Sequence, residues 1–283
     1  MAAEKVIYTN SLGRSITLTD KRPFILESVE GKGDVGADIQ LQTTSQTDGA
    51  FYIDTILSTR SLTLNVNISA NSRDELNEAR QEIAKVFNPK LGKGTLLYSN
   101  GETKRKIEVV VDGIPSYPVG NKGRWWQRVV INLVAPKPHW LNATTENIKL
   151  EDFVAGFSFP FSFPVSFAIR GDKRTLNNSG DVPIPIKVTF RGNTINPTIR
   201  NITTGEFIKV NYEIPEGYTF VVDTENKTVK MYDGTGTSTN MFRYLDNDST
   251  FFELVLGDND ISFSTDGGEP EVYIEYTERF GAV

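Results

Sequence analysis

Nearly all the apolar residues of this chain recur at every second position, in short runs cut by Gly, Asn, Asp and Pro, and a single stretch keeps helical spacing. Period two is the mark of an extended chain with one face on a core and the other in water. "VIYTN", "RSITL" and "FILESVE" are short strand candidates, and "SLTLNVNIS" sets Leu62, Leu64, Val66 and Ile68 against polar neighbours. The period then changes. In "SRDELNEARQEIAKVFNP", Leu76, Ala79, Ile83 and Val86 or Phe87 return at helical spacing, Ser72 and Glu75 form an S-x-x-E capping box, and Asn88-Pro89 supplies the stop. "GTLLYS", "RKIEVVVDG" and "RWWQRVVINLVAP" follow as strands. In the last, Trp126, Arg128, Val130, Asn132 and Val134 share one face while Trp125, Gln127, Val129, Ile131 and Leu133 share the other. Large apolar residues on both faces predict a strand covered on both sides, or a Trp125 turned to an assembly surface.

"APKPHWLN" closes this half, with prolines that suit a strand leaving its sheet. The polar "ATTENIKLEDFVAG" reads as a connector. Beyond it almost nothing is helical: "VPIPIKVTFRG", "PTIRNITT", "EFIKVNYEI", "YTFVVDT", "KTVKMYDG", "TFFELVLG", "DISFST" and "EVYIEYTERF" are short strands at near-even spacing, with "ENK" and "DGTG" as hairpin turns. This predicts a β-sandwich of the jelly-roll type. The reading is therefore mainly β with one helix: an N-terminal α+β domain at 1–145, a connector at 146–156 and a C-terminal sandwich at 157–283. At the junction, "GFSFPFSFPVSF" places Phe157, Phe159, Phe161 and Phe163 on one side of an extended segment, with Pro160 and Pro164 removing amide donors from the other. It suits an edge strand of an ordinary core or a strand that docks between domains or subunits.

The chain is 38% hydrophobic and 23% charged, the balance of a folded protein, and has no Cys, so packing and association replace disulfides and thiolate metal sites. Its formal net charge of −6 argues against a generic nucleic-acid binder, though not against a protein that DNA must pass without sticking. No apolar run is long enough to span a membrane and "MAAEKVIYTN" has no signal core; synthesis and folding in a cytoplasm are expected.

Catalytic sets are not visible. His139, the only His, stands beside Trp140 among prolines and reads as a structural or surface residue, so serine-triad chemistry is close to excluded, and with no Cys and no second His a typical zinc site cannot be built. Glu151 with Asp152, Asp246 with Asp248, and Asp258 with Asp260 are the carboxylate pairs a glycosidase could use, all in turn-rich sequence. "DNDST" and "GDNDIS" do not match a calcium loop. "GKGDVG", Gly31 to Gly36, precedes no helix and reads as a flexible loop, and Lys104 to Lys106 read as a solvated strand end. No catalytic, cofactor or metal residues are assigned.

Two long stretches carry a family resemblance. The first runs from "DGAFYIDTILSTRSLTLNVNI" through the capped helix and "NPKLGKGTLLYSNGETKRKIEVVVDGIP" to "APKPHW". The second runs from "IPIKVTFRGNTINPTIRNITTGEFIKV" through "FVVDTENKTVKMYDG" and "STFFELVLGDNDISF" to "VYIEYTERFGAV". In order and spacing they resemble the distal tail proteins (Dit) of long-tailed, non-contractile bacteriophages, over nearly the whole chain. The resemblance implies a belt domain that forms a homo-hexameric ring, with a galectin-like sandwich around its outside. It also implies a virion location at the tail tip, with the tail tube protein on one side, a tail-associated lysin, fibre or receptor-binding protein on the other, and DNA passing through the centre. On this reading the Phe-rich segment is the first sandwich strand. Tyr52, Arg60 and Trp125 are the expected subunit-interface residues, since aromatics and Arg are enriched there. "Galectin-like" implies shape alone: residues 157–283 hold no His and no Trp, whereas galectin sugar sites use both. A non-catalytic carbohydrate-binding sandwich, stacking sugars on Tyr218, Tyr232 or Tyr244, is the alternative.

Overall fold

The computed structural model describes residues 4–46, 48–150 and 172–283, so the Phe157–Phe163 segment and the Glu151/Asp152 pair lie outside the described residues. The chain divides into two compact units, Met1–Ala143 with Phe280–Val283, and Thr144–Arg279.

The first unit contains β1 (Glu4–Thr9), β2 (Ser15–Leu18), β3 (Phe24–Glu30), β4 (Ala37–Gln42), β5 (Phe51–Leu57), β6 (Arg60–Ser69), α1 (Arg73–Val86), β7 (Lys93–Asn100), β8 (Thr103–Val111), β9 (Trp126–Ala135) and β10 (Trp140–Asn142). Its main sheet runs β2-β1-β7-β8-β9-β6-β3, with β10 beside the N-terminal part of β8, and β4 and β5 form a separate hairpin. The helix follows from the sequence as expected. Ser72 Oγ accepts from the Glu75 amide at 3.1 Å, satisfying a donor that a helix start leaves free, and the Glu75 carboxylate reaches back to the amide of Asn71, the residue before the cap, at 2.8 Å. Leu76, Ala79, Ile83 and Val86 are buried, and Phe87 stacks on Tyr8 at 4.4 Å. That stack depends on Gly94 in β7. A Cβ there would lie 2.6 Å from the Tyr8 hydroxyl and 2.8 Å from the Thr9 carbonyl.

The predicted double coverage of β9 is corrected. Gln127, Val129, Ile131, Leu133 and Ala135 are buried, but Trp126, Arg128, Val130, Asn132 and Val134 are exposed or half-exposed. The strand lies inside its sheet between β8 and β6, so its hydrogen bonds are used, while only one face meets the core. The Gly31–Gly36 stretch is also not the loose loop its composition suggests. Gly31 has φ +82°, and a Cβ on it would run into the Ser61 carbonyl. Lys32 bonds Glu4 at 2.7 Å, and its carbonyl accepts from the indole of the buried Trp140 at 3.1 Å.

The second unit contains β11 (Glu146–Leu150), β12 (Asp172–Asn178), β13 (Ile184–Arg191), β14 (Thr194–Ile195), β15 (Thr198–Asn201), β16 (Phe207–Lys209), β17 (Glu213–Ile214), β18 (Thr219–Asp223), β19 (Thr228–Tyr232), β20 (Ser238–Asn240), β21 (Glu253–Leu254), β22 (Gly257–Ser264) and β23 (Glu271–Tyr276); β24 (Arg279–Phe280) carries the chain back to the first unit, beside β10. One sheet runs β11-β23-β13-β18-β19-β20 and the other β12-β22-β15-β16. Their inward residues form a single core: Ile186, Val188, Phe190, Val222 and Ile274 from the first, Leu176, Ile199, Ile261 and Phe263 from the second. This is the expected sandwich. Both predicted turns join paired strands, β18 to β19 and β19 to β20.

Two expected boundaries move. Glu146–Leu150, taken as the start of a connector, is a sandwich strand paired with β23 along its whole length. Residues 280–283, assigned to the sandwich, belong to the first unit. In both cases the partner strand comes from far along the chain, so local polarity could not reveal it.

Candidate assembly surface

No group of three or more His, Asp or Glu among the described residues could hold a metal ion. The two described carboxylate pairs are engaged in turns and pairing. The backbone amide of Asp248 and the amide of Asn211 hold the Asp246 carboxyl below the ordinary range. Lys173 and Thr175 do the same for Asp260, while Asp258 accepts from Asn177 at 2.7 Å. A glycosidase acid needs the opposite, a carboxyl held protonated by a raised pKa. Lys104 is exposed as expected, but Arg105 lies over the Phe280 ring at 3.6 Å and Lys106 bonds the Ala143 carbonyl. No helix among the described residues is long and apolar enough to cross a membrane.

What stands out instead is apolar surface without cover. Every residue of β4 and β5 is exposed. Cross-strand partners share a face, so the register Ala37↔Leu57, Ile39↔Thr55 and Leu41↔Tyr52 gathers one largely apolar face. Asp38↔Ile56, Gln40↔Asp54 and Gln42↔Phe51 make the more polar one. Ile53 is the extra residue of the bulge opposite Gln40 and Leu41. Tyr52 is 64% exposed and Phe51 68%. Four Asp and no Lys or Arg occur in residues 34–59, while the rest of residues 1–143 holds 18 Lys and Arg against 11 Asp and Glu.

A second uncovered surface is the loop between β8 and β9. It is folded rather than loose: Ser116 bridges Val130, Lys122 bridges Gln127, and the Arg128 amide bonds the Asn121 carbonyl at 3.0 Å. Gly123 makes room for the Trp126 indole, which would otherwise meet a Cβ at 2.2 Å. The loop presents Ile114 and Val119, 79% and 82% exposed, beside the half-exposed Trp125 and Trp126. Arg124 lies over the Trp125 ring at 4.7 Å.

Of the expected interface residues, Tyr52 and Trp125 are therefore on uncovered surfaces. Arg60 is not. It is 1% exposed and donates to the carbonyls of Pro138 at 2.7 Å, Gly31 at 2.8 Å, Lys32 at 3.0 Å and Gly281. Its own chain thus buries the guanidinium and engages four of its five N–H donors, the physical reason for removing it from the interface set. Exposed residues of these two surfaces that sequence reasoning did not name for an interface are Ile39, Leu41, Leu57, Ile114, Val119, Lys122, Arg124 and Trp126. The signal available was the alternation Ala37, Ile39, Leu41 in a stretch without a single cation. In the sandwich, Tyr244 packs on Tyr212 at 4.5 Å and half-exposed Phe242 on Phe251 at 6.1 Å, while Tyr218 and Tyr232 are partly buried.

The chain's sequence matches the phage tail protein RIFT-related domain over residues 11–135 and the C-terminal domain of the siphovirus-type tail component over residues 179–280. No curated protein matches it by sequence. Among solved structures it is similar to the Dit protein of phage SPP1, a paradigm of hub adsorption apparatus in phages infecting Gram-positive bacteria. That likeness has TM-score 0.70 and 12% identity, and covers 97% of this chain and 99% of that one. It is also similar to a chain of the phage P2 baseplate in its calcium-activated conformation (TM-score 0.55, 11% identity, all of both chains), and to one in the strontium-activated form (TM-score 0.51, 11% identity, 97% and 98%). At such identities the likeness speaks for the fold. Two phage-tail domains in this order, on the fold of a distal tail protein, identify the chain as a member of the siphophage distal tail protein family, a structural component of the phage tail.

Proposed function

We propose that this chain is the non-catalytic hub of a long non-contractile phage tail tip: six copies close into a ring through the first unit, the sandwich lies outside it, and DNA passes through the centre without being held. On this reading one side of the ring meets the tail tube protein and the other a tail-associated lysin, fibre or receptor-binding protein. The observation that carries it is the β4–β5 hairpin, thirteen residues exposed on both faces. A lone two-stranded hairpin is marginal in water, and an apolar face of this kind marks an interaction site. Closed homo-oligomers are the usual way for one repeated surface to be covered.

Light scattering on the purified protein, resolved by size-exclusion chromatography, tests this. With a 31.6 kDa chain, a six-membered ring has a mass of about 190 kDa. A strict monomer that binds cell-wall polysaccharide saturably would overturn the hub reading and support the second one, a carbohydrate-binding sandwich. The half-exposed Phe242 stacked on Phe251, with the separate pair Tyr212 and Tyr244, is the observation that favours it.

A further inference from the structure

No residue of β4 or β5 is buried, so the direction of the hairpin is decided at its two feet, residues 31–36 before β4 and 58–61 after β5. The feet lie against each other. The Ser58 amide donates to the Gly36 carbonyl at 2.8 Å, and a Cβ on Gly31 would run into the Ser61 carbonyl. The end of the chain touches both. The Gly281 carbonyl accepts from the Arg60 guanidinium, which also donates to the Gly31 and Lys32 carbonyls at 2.8 and 3.0 Å. Ala282 sits over Gly33, where an added Cβ would lie 3.9 Å from the alanine's own. One buried side chain, Arg60, therefore ties together the foot before the hairpin, the foot after it and the chain's end.

We propose that residues 280–283 are a strap that aims the hairpin, holding it in one direction only while the chain's end is docked. Its bearing on assembly rests on the reading of the hairpin as an assembly surface. The strap is itself well seated: the Arg105 guanidinium lies over the Phe280 ring at 3.6 Å, and Phe280 and Val283 both pack on the first unit's core. A second route reaches the same foot, since β24 pairs with β10 and Trp140 of β10 donates to the Lys32 carbonyl at 3.1 Å. The foot needs such fastening. Three of its six residues are Gly, which makes it a ready hinge for the strand that follows. With the strap in place the hairpin is pre-set for its partner, which lowers the ordering cost of association; without it, Arg60 loses one acceptor, Gly33 loses its cover, and the hairpin swings on its glycines.

The test is amide hydrogen exchange on the full chain and on a chain ending at Arg279, with light scattering on both. In the shortened chain, exchange at Ser58 and across β4 and β5 is expected to rise at least about tenfold. Exchange in the second unit should stay as it was, and ring formation should weaken by about tenfold as well. Adding the peptide Arg-Phe-Gly-Ala-Val, the sequence of residues 279–283, is expected to reverse part of both effects. If the shortened chain loses protection throughout the first unit, the full-length variant Phe280→Ala with Val283→Ser decides: the feet should loosen while α1 keeps its protection. Unchanged protection of the feet, or loss at the feet and α1 in step in that full-length variant, would overturn the strap. A full chain that stays monomeric would overturn the ring reading, and exchange at Ser58 would still decide whether the strap holds the hairpin.

Discussion

Replacing Arg60 by Met keeps the length of the side chain and removes the charge, so it isolates what the guanidinium does. Four carbonyls lose the guanidinium at once, Pro138, Gly31, Lys32 and Gly281, although that of Lys32 keeps the Trp140 indole as a donor. Hydrogen bonds to a charged group contribute about 1.5–3 kcal/mol each, which would total roughly 6–12 kcal/mol if they were independent. The native state also bears the cost of desolvating the guanidinium, several kcal/mol, and loop carbonyls regain water once the cation is gone. The net loss should be about 3–5 kcal/mol, the range for removing one partner of a buried ionic set. For a unit of this size that lowers the melting temperature by about 10–20 °C. The assay is calorimetry at one fixed protein concentration, because association shifts apparent stability. Hydrogen exchange at residues 280–283 should rise in the variant, since Gly281 is tied directly to the lost group. Arg60→Lys should recover only part of the loss, its compact ammonium lacking the planar fork. A loss below about 1 kcal/mol with unchanged exchange would refute the view that Arg60 fastens this unit together.

Gly94→Ala should cost about 1–3 kcal/mol, because the new methyl lies 2.6 Å from the Tyr8 hydroxyl and 2.8 Å from a backbone oxygen; urea unfolding reads it, and an unchanged midpoint would show that the Tyr8–Phe87 stack can shift freely. Glu4 is held below its ordinary value of 4.5 by hydrogen bonds from Lys32 and then Tyr98. Its contribution to stability is therefore present above about pH 4.5 and lost as pH falls through the lower, folded-state value. Glu4→Gln should flatten the pH dependence of the first unit's unfolding between about pH 5 and pH 3, and an identical slope would remove this carboxylate from the acid response.

The helix and the sandwich were legible because their signals are local. Ser72, Glu75 and the Leu76–Ile83 spacing sit within a few turns of one another, and the strands of the second unit alternate cleanly between core and solvent. Arg60 was not legible. An Arg at the mouth of a strand usually faces water, and only the meeting of Gly31, Pro138 and Gly281, each remote in sequence, turns it inward. The two faces of β9 carry similar apolar residues, so no pattern within the strand could tell which one the core would take. The hairpin was half-legible: Tyr52 was expected at a surface, but the partner strand at 37–42 and the loop bearing Ile114 and Val119 look like ordinary turn-rich surface until the register is known.

Residues 280–283 complete the first unit, yet the ribosome makes them only after all of the second unit. During synthesis Arg60 stands ready while the Gly281 carbonyl it will hold has not been polymerised, and the Phe280 ring is not yet present for Arg105. The first unit of a nascent chain is thus an unfinished part. It acquires this fastening only once residues 280–283 have been made, so its folding waits on the whole of the second unit's synthesis.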